Sequence, residues 1–187
     1  MIKDKEAVRE RIILAAMKIF SKYGFFRAPV HLIAREAGVS KGLVFWYFRS
    51  KQELIIEVAK RSLPLDVVNS CLEFGLRGKK LLECIGKGYM EKYGDPTQWS
   101  LLLHTMALGS IYEEIAEEIN RLCEEKMNEV AEKVFGRSSI RGKTALRAFF
   151  GGLMCYMLRK PKDISEEVFI NELVSIVSGA LKNEDEF

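Results

Sequence analysis

The stretch Ala37-Gly38-Val39-Ser40-Lys41-Gly42-Leu43-Val44-Phe45-Trp46-Tyr47-Phe48-Arg49-Ser50-Lys51 constrains this chain more than any other. Gly38 can take the left-handed backbone that closes one helix and turns the chain sharply. Ser40, two residues later, is a good N-cap, so the spacing predicts helix, tight turn, helix. The second helix spans Lys41 to Phe48. On it Val44 and Phe48 lie four apart and face inward, which leaves Lys41, Phe45, Trp46 and Tyr47 on the outer faces. Ser50 then caps a third helix, with Glu53 completing a capping box. Lys51 falls in the first turn of that helix, where the macrodipole disfavours a cation. A lysine there, beside free backbone N–H groups, points to an outside anion such as a phosphate.

Charge supports a nucleic-acid reading of that stretch. Residues 1–51 hold eleven Lys/Arg against four Asp/Glu, a net of +7, while the remainder holds eighteen against twenty-two, a net of −4. A basic N-terminal third joined to a mildly acidic remainder fits a DNA-binding module fused to something else. Taken without the helix-turn-helix pattern, a solvated surface with clustered charges explains the asymmetry equally well. At 187 residues the chain can form one compact body or two small ones. Its apolar runs are too short to span a bilayer. The charged start Met1-Ile2-Lys3-Asp4-Lys5-Glu6 lacks the apolar core of a secretion signal, and the cysteine pattern leads to the expectation of a cytoplasmic protein. The cysteines (Cys71, Cys84, Cys123, Cys155) are widely spaced, without a C-x-x-C pair, and only two histidines could join them. This pattern argues against zinc and reads as reduced thiols acting as small core hydrophobes. The metal-protease, phosphate-loop and nucleophile-elbow motifs are absent, so no enzyme, metal or cofactor is expected. His104 with Cys84 or Cys123 is an imaginable nucleophile pair, but nothing in the sequence brings them together.

The rest of the chain reads as helix throughout. Helix 1 is expected from Lys5 to Tyr23, with Val8, Ile12, Ala15, Ala16, Ile19, Phe20 and Tyr23 as its apolar stripe. Lys3, Lys5, Arg9 and Arg11 near its start are equally readable as DNA-backbone contacts or surface charge. Gly24 ends it, and Pro29 suits the first position of helix 2, Val30 to Ala37. Helix 4 starts at Lys51, and Pro64 either ends it or kinks a longer helix reaching Leu76. Further helices are expected over Lys79–Tyr93, Pro96–Ser110, Ile111–Phe135, Arg141–Arg159 and onward from Ser165. Asp95 caps the helix at Pro96, with Gln98 as its capping-box partner. On the final helix Phe169, Leu173, Ile176, Val177 and Leu181 share a stripe. The helix through Phe149-Phe150-Gly151-Gly152-Leu153-Met154-Cys155-Tyr156-Met157-Leu158 is apolar nearly all round and needs cover on all sides. A second subunit is the natural cover, with Gly151 and Gly152 allowing close approach.

Ile33-Ala34, Ala37-Gly38-Val39-Ser40-Lys41-Gly42, Tyr47-Phe48, Ser50-Lys51 and Glu53-Leu54 resemble, in order and spacing, the N-terminal signature of the tetracycline-repressor (TetR) family. So do Ile13-Leu14-Ala15-Ala16, Phe20 and Tyr23-Gly24 upstream. The resemblance runs from Arg11 to Val58 without a gap and leaves the remaining two thirds of the chain unmatched. It implies an all-α protein of about nine helices. A three-helix DNA-binding head would occupy residues 1–50, and a helical ligand-binding and dimerisation body residues 51–187. It also implies a homodimeric repressor on a palindromic double-stranded operator, released by a small apolar or amphipathic effector. A ligand-independent DNA-binding dimer, or an activator on the same scaffold, are the alternatives.

The expected DNA contacts are Lys41, Gly42, Tyr47 and Lys51, followed by His31, Leu43, Phe45 and Trp46. Departures from the family pattern concern them. Ala28 stands where the family has a capping, phosphate-touching threonine, His31 stands where family members often place a base- or phosphate-contacting side chain, and Leu43 and Phe45 replace hydroxyl-bearing Thr and Tyr. Apolar contact with thymine methyl groups then gains weight. Met90, Tyr93, Trp99, Leu103, Met106, Phe149 and Tyr156 are readable as pocket lining or as solid core, and the resemblance favours the pocket. By the same resemblance the last two long helices form the dimer contact, through Phe150, Gly151, Met154, Phe169, Leu173, Ile176 and Val177.

Overall fold

The computed structural model describes residues 2–108 and 112–179, without the side chains of residues 2–4 and 114. Among the described residues all regular structure is helical. In chain order the ten helices are α1 (Ile2–Tyr23), α2 (Val30–Glu36), α3 (Lys41–Tyr47), α4 (Lys51–Ser62), α5 (Leu65–Glu73), α6 (Gly78–Gly94), α7 (Pro96–Leu108), α8 (Glu113–Phe135), α9 (Ile140–Leu158) and α10 (Glu166–Gly179). The helix beyond the expected nine is α5. Pro64 cannot continue the α4 ladder and instead becomes the N-cap residue of a separate helix. No helix among the described residues is long and apolar enough to cross a membrane.

The chain divides into two compact units, Met1–Leu63 with Asp95–Ile119, and Pro64–Gly94 with Asn120–Phe187. The first unit takes in α4, α7 and the start of α8 as well as the head. It is built on α1, which packs against α2, α4 and α7. Because α1 is covered on more than one side, Ile13 and Met17 are buried in addition to the expected Ile12, Ala15, Ala16, Ile19 and Phe20. Each large apolar side chain so buried contributes about 1.5–3 kcal/mol. Tyr23, at the helix end, stays exposed. Gly24 follows with φ +74°, and the chain turns so that Phe25 is buried edge-on to Phe20, 5.2 Å between centroids. Polar ties complete the unit: Ser100 Oγ donates to the Ser21 carbonyl at 2.8 Å, and Ser62 Oγ meets Thr105 Oγ1 at 2.7 Å in the interior. Asp95 caps α7 as expected, accepting from Gln98 N at 2.9 Å. The reciprocal bond from Gln98 is not made, and its buried Oε1 has no partner.

In the second unit α6 packs against α5, α9 and α10. Leu81, Leu82, Ile85, Tyr89 and Met90 form its buried side, as their spacing predicts. Gly86 and Gly88 permit close approach. A Cβ at Gly88 would lie 2.7 Å from Val67 Cγ1, and one at Gly86 2.9 Å from Ile170 Cγ2. The reading of the cysteines as reduced core thiols needs correction. Cys71 on α5 and Cys84 on α6 form a disulfide, because the turn at Gly75 and Gly78 folds α5 back along α6 and brings their Cα atoms to 5.9 Å. Cys155 is exposed and Cys123 half-buried, with burial pushing its thiol up.

On α9 Arg141, Thr144 and Arg147 lie on the exposed face, and the apolar stretch 149–158 continues that face with Gly151, Cys155 and Leu158 uncovered within the chain. On α10 the inward stripe is Ile170, Val174 and Val177; of the expected stripe Val177 is buried, Phe169 and Leu173 are half-buried and Ile176 is exposed. Leu181 lies outside the described residues.

Candidate nucleic-acid interface

Local rules set the helix-turn-helix. α2 closes in a Schellman turn: Gly38 N donates to the Arg35 carbonyl at 3.2 Å and Val39 N to the Ala34 carbonyl at 2.9 Å, with Gly38 at φ +65°. Ser40 Oγ accepts from Leu43 N at 3.1 Å and so starts α3. Val44 and Phe48 point inward, each 1% exposed. Ser50 Oγ accepts from Glu53 N at 3.1 Å and starts α4. The returning bond of the expected capping box is displaced by one residue, since Glu53 Oε2 accepts from Arg49 N at 2.8 Å rather than from Ser50 N. At the start of α2, Pro29 is the N-cap residue rather than the first helical one, and it supplies no side-chain cap. Ala28 is completely buried, so this position fills the core instead of capping a helix.

This arrangement leaves a continuous outward surface. Lys41, Gly42, Leu43, Phe45 and Trp46 on α3 are exposed, Tyr47 is half-buried, and His31 on α2 is exposed. Lys41 Nζ sits 5.9 Å from the Phe45 ring centroid, and the Trp46 and Tyr47 rings meet edge-on at 4.8 Å. Trp46 is 62% exposed, an unusual state for the largest apolar side chain and one that leaves much of its surface available to a partner. Gly42 has only Ser40 Oγ, at 3.8 Å, near an added Cβ, so the fold itself does not require glycine there. A glycine inside a helix costs about 1 kcal/mol relative to alanine.

Lys51 differs from the phosphate-facing picture. It is half-buried, burial lowers its pKa, and its Nζ donates to the Phe26 carbonyl at 2.7 Å. An ammonium has three donors, so two remain for an outside acceptor.

Sequence reasoning missed how α1 holds α3 and α4. Lys5 Nζ lies 5.3 Å from the Trp46 ring centroid, and the Arg9 guanidinium 5.1 Å from that of Phe48. Arg9 also pairs with Glu57 at 3.1 Å. Arg61 donates to both oxygens of Glu10, at 2.5 and 2.8 Å, and to Glu57 at 3.3 Å. The Arg61 hydrogen bond holds the Glu10 carboxyl below the usual carboxylate range. Glu57 and Arg61, four apart on α4, were the one sequence signal for this network. Arg11 is exposed, and the side chain of Lys3 lies outside the described residues.

The seven residues read as pocket lining divide between the units. Trp99, Leu103 and Met106 belong to the first, where Trp99 and Leu103 are half-buried and Met106 is 47% exposed. Met90, Tyr93, Phe149 and Tyr156 belong to the second and are buried. Burial raises the phenol pKa of Tyr93 well above its ordinary range. Of the residues read as a dimer contact, Phe150, Met154, Phe169 and Leu173 are half-buried, and Gly151 and Ile176 are exposed. Val177 is 3% exposed and is taken up by the core of its own unit. An open groove of about 740 Å³ in the second unit is lined by Val67, Phe74, the Cys71–Cys84 bridge and charged side chains of α6.

The first unit thus presents a helix-turn-helix of the DNA-reading class, its second helix bared on a basic head. The family described as bacterial regulatory proteins, tetR family, matches residues 12–58. The match covers the helix-turn-helix segment and no more of the chain. The HTH-type transcriptional regulator SrpR of Pseudomonas putida is 42% identical over 65 residues, which is 34% of this chain and 30% of SrpR. The chain spans 29 to 48% of the length of the first three curated relatives it matches. Among solved structures, one assigned to the TetR family from Mesorhizobium loti has a TM-score of 0.71 at 18% identity, covering 95% of this chain and 96% of that one. NalD of Pseudomonas aeruginosa, a secondary repressor of a multidrug efflux pump, has a TM-score of 0.66 at 22% identity, covering 95% and 96%. These two likenesses concern the fold.

Proposed function

We propose that this chain is a DNA-binding transcriptional regulator that works as a homodimeric repressor on a palindromic operator. The observation that carries the reading is the bared outer face of α3. Lys41 reaches guanine O6/N7 or a phosphate, and Gly42 lets the DNA backbone approach closely. Leu43 and Phe45 meet thymine methyl groups, Tyr47 and His31 supply polar contacts, and Trp46 lies against the sugar-phosphate edge. The two free donors of Lys51 serve a neighbouring phosphate. Dimerisation is supported by apolar exposure at the α9 and α10 ends of the second unit, where Leu158 is 52% and Ile176 70% exposed. A two-fold axis then sets two copies of α3 on half-sites about one DNA turn apart.

Release by a small apolar or amphipathic effector completes this reading. The second unit offers its groove and, beside Met90, a smaller one of about 390 Å³. A ligand-independent regulator is favoured by a different observation. Tyr93, Phe149 and Tyr156, readable from sequence as pocket lining or as core, are each 5% exposed or less. Thermal shift with apolar compounds separates the two, because a ligand that binds only the folded state raises its stability.

The DNA reading is tested by footprinting the full chain on its own upstream DNA and on a random-site pool, with non-specific competitor. Preference for one palindromic site by about a thousandfold is the expected result. Equal affinity for every sequence in both experiments contradicts it.

A further inference from the structure

We propose that the Cys71–Cys84 bridge is a thiol-exchange site through which a small zwitterionic thiol of the glutathione type adjusts operator affinity. The affinity part rests on the DNA reading above; the exchange chemistry stands without it.

α5 is a short helix, and three ties hold it along α6. Val67 packs against the bare backbone of Gly88, Lys92 Nζ meets Asp66 Oδ1 at 2.5 Å, and Cys71 is bonded to Cys84. Both cysteines belong to the lining of the 740 Å³ groove, which is large enough for a small peptide thiol. The two ends of the bridge are unequal. Cys71 is 3% exposed, whereas Cys84 is only half-buried. Lys80 and Lys87, one turn before and after Cys84 on α6, also line the groove. Their charge favours a thiolate close to Cys84. Glu83 and Glu91 line it too, so the groove offers both signs of charge, which suits a zwitterion better than a simple anion.

Access directs the chemistry to Cys84. The incoming thiolate attacks Cys84 Sγ, a mixed disulfide forms there, and the Cys71 sulfur leaves as a thiolate and takes up a proton. A second thiol attacks the mixed disulfide, releasing the small-molecule disulfide and the Cys84 thiol. Two small thiols are oxidised and one protein disulfide is reduced, so two electrons pass in all. The small-molecule disulfide drives the reverse reaction.

The consequence follows from chain order. α4 begins four residues after the last residue of α3, and Pro64, next after the α4 C-cap Leu63, starts α5. The bridge therefore anchors the chain immediately downstream of α4. Reduction frees α5 to sample more conformations and lowers the fraction of protein held in the binding-competent state, and apparent affinity falls by that fraction.

The test uses the full chain carrying Cys155→Ser, so that the exposed Cys155 thiol adds no glutathione of its own to the mass. Samples are equilibrated in glutathione buffers from oxidised to reduced, quenched by alkylation, weighed intact, and titrated against the selected operator. A two-electron change from disulfide to dithiol under native conditions is expected, with operator Kd rising by at least about fivefold, the lower end of coupling between sites. Cys71→Ser should take up glutathione at Cys84 far faster than Cys84→Ser does at Cys71. The doubly substituted Cys71→Ser/Cys84→Ser chain, checked for native circular dichroism, should bind like the reduced protein in both buffers. A bridge that glutathione reduces only in urea overturns the exchange site. Clean reduction with unchanged Kd overturns the effect on affinity. Absence of operator binding in both redox states overturns the affinity claim together with the DNA reading, and the mass measurement distinguishes that from failed exchange.

Discussion

Lys51 Nζ donates to the main-chain carbonyl of Phe26 at 2.7 Å, joining the first turn of α4 to the loop ahead of α2. Its partners lie twenty-five residues apart in the chain, on either side of α2 and α3. Lys51→Ala leaves that carbonyl without its ammonium partner. A loss of about 1–2 kcal/mol in urea unfolding is expected, as for hydrogen bonds to charged groups. Unchanged stability would show that water replaces the lysine at no cost.

Arg61 and Glu10 tie α4 to α1 in bidentate geometry, with Glu57 sharing the guanidinium. Both side chains are partly solvated, so a double-mutant cycle with Arg61→Ala and Glu10→Ala should give a coupling of about 0.5–1 kcal/mol, shrinking with salt. The Glu10 pKa is depressed on folding. Its contribution is therefore fully present above the unfolded carboxylate value and lost as pH falls through the lower folded one. The stability gap between wild type and Glu10→Gln should be flat near neutral pH and close in acid. A gap that widens in acid has the wrong sign for this pairing.

Gly88 is needed for the approach of α5 to α6. Alanine there places a Cβ 2.7 Å from Val67 Cγ1. Overpacking typically costs 1–3 kcal/mol, offset by about 1 kcal/mol of helix propensity. Gly88→Ala should lose stability in chemical denaturation, and Val67→Ala in the same chain should restore part of it. Greater stability in Gly88→Ala alone would mean α5 yields freely.

Gly151 presents the opposite case, because an added Cβ there meets nothing within 4 Å inside the chain. Gly151→Arg should leave the fold of the chain intact by circular dichroism and shift sedimentation from dimer to monomer. A variant that remains dimeric removes this face of α9 from the proposed contact.

What could be read from the sequence was what neighbouring residues decide. The Schellman turn at Gly38, the caps at Ser40, Ser50 and Asp95, and the inward pair Val44 and Phe48 all follow from local spacing, and all are present. Periodicity failed where apolar residues crowd both sides of a helix. On α10, Phe169, Ile170, Leu173, Val174, Ile176 and Val177 define two adjoining stripes, and spacing alone does not select the inner one. Long-range partners left no local trace: the carbonyl that receives Lys51, the ring under Lys5, and the meeting of Cys71 with Cys84 all depend on turns that fold distant segments together.

The most direct measurement concerns Lys41 and the outer face of α3. Affinity of the full chain for its selected operator and for random DNA should be measured across a salt series, for wild type and Lys41→Ala. If Lys41 holds a phosphate, the substitution weakens binding to both DNAs and shallows the log–log salt slope by about one per subunit. If it reads guanine, operator binding weakens by about 1–3 kcal/mol while random-DNA binding holds, and specificity relaxes at one base pair of each half-site. Affinity, specificity and salt slope all indifferent to Lys41→Ala would contradict the assignment of α3 as the recognition helix.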